Sequence, residues 1–400
     1  MTLYKLEFKK VWANKFLIIA FVILFLVNGI QSINLIHRDK KVNSSQYWEA
    51  METVYTSTEG EITSEKLEFA ISEHRRLQDI IEGGSYSTEP NQVNTYTGYI
   101  FADNNLFRQL YEEMYYTYHY PQFSSSIHQK AVDNIDFFTE KENSYEVNRN
   151  QIIISLYEDR NIPRFYRMQG WDEYFDYSFS ALLIILMIVL GVAPLFSSER
   201  ENQMTSILRT CRYGKRKVFG AKVAVAFSYT FVVSLVFNLD DFITFTIGYS
   251  LRGFENPLYF ISSYQATPFN GTVRHFLAYT FVPKFLGAAA ICSIALFSSA
   301  LSHNDSGSFL GTAALLIPAI ILNNKNNPVN YIALLSIQQE FREFQTFNCF
   351  GKAVMQAEMF AVCILLLIAI MLLCCYILEC RGFRESCIGR RGYFGRMRSK

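Results

Sequence analysis

The run FLIIAFVILFLVNGIQSINLI, residues 16–36, contains no charged side chain. A helix rises about 1.5 Å per residue, so a run of this length crosses a hydrocarbon layer roughly 30 Å thick. Five further stretches carry the same signal, at 177–196, 218–239, 280–301, 308–323 and 357–378. The fifth of the six spans, 308–323, is the shortest and contains Pro318. With 35 Phe and only 18% charged residues, the composition suits lipid better than water. The first run is too long for a signal-peptide core and lacks a small-residue cleavage pattern, so it reads as a retained span.

Basic residues near the span ends set the orientation. Residues 1–15 carry four lysines against Glu7, a net +3. Segment 197–217 carries six basic residues against Glu199 and Glu201, a net +4, and the tail 379–400 carries seven against two acids, a net +5. Six spans put all three segments on one side, and the positive-inside rule makes that side the cytoplasm, with both termini in it. The expected fold class is therefore an all-α integral membrane protein, with six transmembrane helices and a mostly helical extracytoplasmic domain between helices 1 and 2. Its divisions are 1–36 (interfacial helix and first span), 37–176 (extracytoplasmic domain) and 177–400 (spans 2–6, cytoplasmic loop 197–217 and basic tail 379–400).

Residues 2–15 place Leu3, Leu6, Val11 and Trp12 on one side and lysines on the other, which predicts a helix lying in the inner interface. In the outer region, helical apolar spacing recurs at 65–83, 105–120 and 148–160, punctuated by Gly83, Gly84, Pro90, Pro121 and Pro163. GWDEYFDYSF (170–179) has the make-up of an aromatic interface belt. FITFTIGYS (242–250) is apolar but too short to span, and reads as an interfacial or re-entrant piece; 332–344 is amphipathic and too polar to cross.

Catalytic signatures are missing. No GxxxxGK[ST] loop occurs, because Gly214-Lys215 is followed by Arg216 and Gly351-Lys352 by Ala353. Neither HExxH, nor Cys/His pairs at zinc spacing, nor GxSxG occurs. The eight cysteines avoid the outer region, which excludes a disulfide framework there. The chain is accordingly expected to be no enzyme, to bind no metal or cofactor itself and to have no nucleic-acid partner. Asp240 and Asp241 fall at the outer end of the third span and Lys284 near the outer end of the fourth; charges there are costly, and together they mark a possible outer pathway mouth. In the loop, Met204, Ile207 and Leu208 share one helical face, with Glu199, Glu201 and Arg209 elsewhere around it, before Gly214 and Arg216 lead into the third span.

That loop resembles the permease subunits of bacterial ABC-2-type exporters, whose corresponding segment has the form E-x-E-x-G-T-x-x-x-L-x-T, followed by Gly-Arg or Ser-Arg and a Lys. Glu199, Glu201, Leu208, Thr210, Gly214, Arg216 and Lys222 fit with small offsets, whereas Gln203-Met204 replaces Gly-Thr and the Pro after Thr210 is missing. The basic amphipathic start, the six-span order, the large loop after the first span and FSSALSHND (297–305) also fit. The resemblance implies a coupling helix, carried by Glu199, Glu201, Met204, Ile207, Leu208, Arg209, Gly214 and Arg216, that docks on separate ABC ATPase subunits. ATP and Mg would act through that partner, a second permease copy or paralogue would complete the pathway, and the cargo would be a peptide or amphiphile such as an antimicrobial peptide. The competing expectation is a non-transporting sensor or immunity protein in the cell membrane whose acidic outer domain binds a cationic peptide.

Overall fold

The computed structural model describes residues 3–42, 45–83, 95–204, 214–321 and 331–380. The chain is mostly helical, and five helices are long and apolar enough to cross a bilayer: Lys15–Lys40, Gln169–Glu201, Arg216–Tyr249, Val273–Leu301 and Gln356–Cys380. Helix α1 (Leu3–Trp12) precedes α2 (Lys15–Val42), the first of these. The second is built from α7 (Gln169–Asp176), α8 (Phe179–Val192) and α9 (Pro194–Glu201). Pro194 starts α9, where its missing N–H is tolerated. Next come α10 (Gly214–Tyr249), α11 (Val273–Leu301), the shorter apolar α12 (Asp305–Ile321) and α13 (Gln356–Cys380).

The centre of the bundle is α11. Its stretch Gly287, Ala288, Ala289, Ala290, Ile291, Cys292 and Ser293 is buried, and small side chains let neighbouring backbones approach closely. A Cβ on Gly287 would stand 2.7 Å from the Tyr331 carbonyl oxygen. On the periphery, α2 turns Ile18, Ile19, Val22, Ile23 and Leu26 outward, and α13 does the same with Leu365, Leu366 and Ile370. Apolar surface on this scale suits lipid rather than water.

At the opposite end from α1 stands a helical body: α3 (Ser45–Thr58), α4 (Ser64–Glu82), α5 (Ile100–Glu140) and α6 (Ser144–Tyr157). Thr63 caps α4 by accepting from the Lys66 N–H. The core of this body gathers Tyr47, Met51, Leu77, Leu106, Phe107 and Met114. It is continuous with the loops of the bundle. Tyr120 stacks on Tyr259 at 4.9 Å, and Tyr116 donates to the Tyr259 carbonyl at 2.7 Å. Arg160, 4% exposed, donates to the carbonyls of Leu156 and Thr267 and to Asn270 Oδ1.

Several sequence-based expectations change here. Pro121 does not punctuate but lies inside α5, which runs on because its flanks are anchored: Tyr120 to the Gln265 carbonyl and Ser124 to that of Tyr157. Segment 242–250 is not re-entrant; it completes α10, whose 36 residues extend about 54 Å, well beyond a bilayer core. The aromatic belt at 170–179 is largely internal. Trp171 and Phe175 are buried against Phe254, Tyr264 and Phe276, because the loop after α10 folds back over them. Residues 333–340 form only short helical turns, and Thr346–Cys349 pairs antiparallel with Lys352–Met355 as a β1–β2 hairpin that the sequence reading did not foresee. Tyr145 on α6 bonds Thr346, which ties the hairpin to the helical body.

Inside that body, Glu113 accepts from Tyr55 Oη at 3.1 Å and Gln109 Nε2 at 3.0 Å. Burial pushes its carboxyl up from the ordinary value near 4.5 to about 7, against the opposing pull of these donors and Arg167. A carboxyl raised in the folded state makes folding take up a proton. Stability is then greatest at acid pH and falls as the pH climbs from about 4.5 through about 7, by an amount on the order of 3 kcal/mol. Chemical denaturation of the detergent-purified chain at pH 5 and pH 8 is expected to show that loss, and Glu113→Gln to flatten it; an unchanged slope in the variant would assign the dependence to another group.

Candidate functional site

The end of the bundle that holds α1 is joined by an ionic knot. Lys222, two turns into α10 and 1% exposed, would be a prohibitive isolated charge in so apolar a helix. Its ammonium lies 2.9 Å from Glu199 Oε1 on α9 and 3.4 Å from Glu7 Oε2 on α1, and donates to the Leu195 carbonyl at 2.6 Å. Lys10 closes the set, 3.0 Å from both Glu7 and Glu199. Two cations and two anions thus balance, and three segments distant in the chain are drawn together. Burial alone would lower the Lys10 ammonium, but Glu199 and Glu7 outweigh it and raise its pKa above the ordinary value.

Around the knot, α9 is fastened to the other helix ends. Arg200 pairs with Glu379 on α13 and donates to the Ser302 carbonyl at 2.6 Å. Ser299 Oγ accepts the backbone N–H groups of Phe196 and Ser197, and Ser197 donates to Asp305 at 2.5 Å. Glu201 accepts the Asp305 N–H at 3.0 Å. The ends of α9, α11 and α13 and the start of α12 therefore meet at one point.

The expected coupling residues divide accordingly. Glu199 faces inward as a tether, Glu201 is exposed but caps α12, and Met204 and Arg216 are exposed. The helix of this segment ends at Glu201, followed by a turn with Gln203 at φ 54°, so no separate amphipathic helix begins within 197–204. Ile207, Leu208 and Arg209 lie outside the described residues, and of Gly214 only the helical backbone is described. Glu7 and Lys10 were missed as site residues. Glu7 is the one acid among the first fifteen residues and sits four positions before the buried Val11, which is the signal that could have singled it out.

The second predicted set is also rearranged. Because α10 continues to Tyr249, Asp240 and Asp241 lie about 13 Å inside its end rather than at it. Asn28 of α2 donates to Asp240 at 2.8 Å and to Asp241 at 2.7 Å, while Tyr177 donates to Asn28 Oδ1 at 3.0 Å. Lys284 instead donates to Asn238 at 2.9 Å and forms no ion pair with either aspartate among the described residues. The result is a polar seam joining α2 to α10, with a second contact joining α10 to α11. Asn28, the first of three amides in the apolar run 16–36, was the overlooked member.

No family model matches the chain, and no curated protein and no solved structure matches it.

Breaking a buried ion cluster by removing one partner leaves an uncompensated charge, at a cost of about 3 kcal/mol or more. Lys222→Met is expected to lower thermal stability in lipid nanodiscs markedly, and Lys222→Met with Glu7→Gln, which restores neutrality, to recover a substantial part. A double variant no better than the single one would mean that packing of the lysine stem, not charge balance, holds this end together.

Proposed function

We propose that this chain is the membrane-spanning permease subunit of an ATP-driven ABC exporter, multi-pass in the cell membrane with both termini cytoplasmic. The observation that carries the reading is the ionic knot. The segment leading into residues 202–213 is bound by Glu199 to α1 and α10, and by Arg200 to the ends of α11 and α13. A force applied there by a partner ATPase would reach several membrane helices through short, charge-assisted contacts.

A sixth crossing belongs to this proposal. Helix α11 ends beside Arg200, whereas α13 begins near the hairpin at the other end and finishes at Glu379, again beside Arg200. Residues 302–355 must return the chain between the two ends, and α12, about 25 Å long, starts that return. In this reading Met204 and Arg216 present the docking surface, and Glu199 positions it from behind. The seam of Asn28, Asp240, Asp241 and Lys284 supplies polar groups between helices that a moving peptide or amphiphile could meet, with a second permease copy completing the path. ATP and Mg act in the partner.

The test is affinity purification of the tagged chain from its native membrane, alongside Met204→Glu and Arg216→Glu, both at exposed positions. An ABC ATPase is expected to accompany the parent and to fall at least several-fold in the variants, while their detergent elution profiles stay unchanged. A folded parent that brings down no ATPase would remove the exporter reading in favour of a peptide-binding sensor.

A further inference from the structure

Where α2 and α10 leave the apolar belt beneath the helical body, a cavity of about 150 Å³ opens beside Trp48. Lys40 closes the first candidate span and Tyr249 closes the third, so this cavity lies at the depth of lipid headgroups. Its lining carries Lys40, Arg167 and Arg252 together with Glu49, Glu52 and Glu59, and two of the cations converge on one aromatic ring. The Lys40 ammonium lies 5.6 Å from the centroid of the Trp48 ring and the Arg167 guanidinium 4.9 Å from it. Neither cation has a carboxylate within ion-pair distance among the described residues.

The acids nearby are otherwise engaged or too far away. Glu59 and Glu52 are held by Arg252, at 2.8 and 4.0 Å. Asp39 accepts from Gln169 and the Tyr249 hydroxyl. Glu113 bonds Tyr55 and Gln109, and Glu49 stands exposed on the rim. Two buried donors of lining residues also find no partner among the described residues, Trp48 Nε1 and Arg167 Nε. An indole N–H and a guanidinium N–H can only donate, so what would satisfy them is an acceptor. Two cations over one ring add that it should be negative.

We propose that this cavity binds the phosphate of a phospholipid headgroup, with Arg167 and Trp48 donating to its oxygens and Lys40 neutralising its charge. A lipid, rather than a free phosphate, is the source favoured by the cavity's place at the mouths of two spans, where Leu251 and the Tyr249 ring offer apolar surface to the glycerol and first methylenes. A lipid there would act as a wedge between the body and the bundle. The site is independent of the transport reading, since it concerns the opposite end from the knot.

Calorimetric titration of the detergent-purified full chain with dihexanoyl phosphatidylglycerol tests this, with glycerol 3-phosphate and inorganic phosphate as separate arms. Saturable lipid binding is expected, weakened roughly tenfold by Arg167→Gln and several-fold by Trp48→Phe, with Lys130→Gln on the exposed side of α5 as an unaffected control. Trp48→Phe keeps an aromatic face for the two cations while removing the N–H together with the five-membered ring, so it reads the site even if the arginine variant does not fold. Inorganic phosphate binding as tightly as the lipid would overturn the lipid source. No saturable lipid binding, or equal affinity in parent and Trp48→Phe, would overturn the site.

Discussion

A single ammonium group in an apolar helix sets the terms for half of this molecule. Lys222 sits within α10 where water does not reach, and a cation there is tolerable only if anions come to it. Glu199 and Glu7 do so from segments separated from it by tens to hundreds of residues, and Lys10 balances the second of the two negative charges. Meeting that requirement brings α1 against α10 and holds α9 beside both. The Arg200–Glu379 pair and the Ser299 and Asp305 contacts then gather the remaining helix ends around the same point.

The opposite end is held by different physics. There the bundle has loops long enough to be covered, and aromatic area does the covering. Trp171 and Phe175 are enclosed by Phe254, Tyr264 and Phe276, and Tyr120 lies flat on Tyr259. Arg160 is the polar counterpart, a buried cation satisfied by carbonyls and ring faces instead of by an acid. One end is thus fixed by charges that must find each other, and the other by apolar surface that must be hidden. Between them run helices whose packing depends on small residues, Gly287 with its alanines on α11 and Gly191, where a Cβ would fall 2.4 Å from the Tyr229 ring.

How far the sequence reaches is visible in particular elements. Hydropathy located all five long apolar helices within a few residues at their apolar cores, because membrane length and backbone satisfaction leave few alternatives. It misjudged their ends. The apolar signal of the third span fades at Asp240 and Asp241, yet the helix continues: Asn28 donates to both carboxylates, and Asp241 is buried within the protein. Pro121 was read as a break because local rules weigh only the missing N–H; the stacked tyrosines and the Ser124 bond outweigh it.

By itself, then, the chain determined that it would be helical and that it would carry long helices apolar enough to cross a membrane, because those outcomes depend on composition and on spacing within short windows. Only the tertiary structure decided that Glu199 would be an internal tether instead of a surface contact, that Glu7 and Asn28 would matter at all, and that Lys284 would bond Asn238 rather than an aspartate. Each of these is a pairing between helices far apart in sequence, and a pairing energy exists only once packing has removed water and set the distance between the partners.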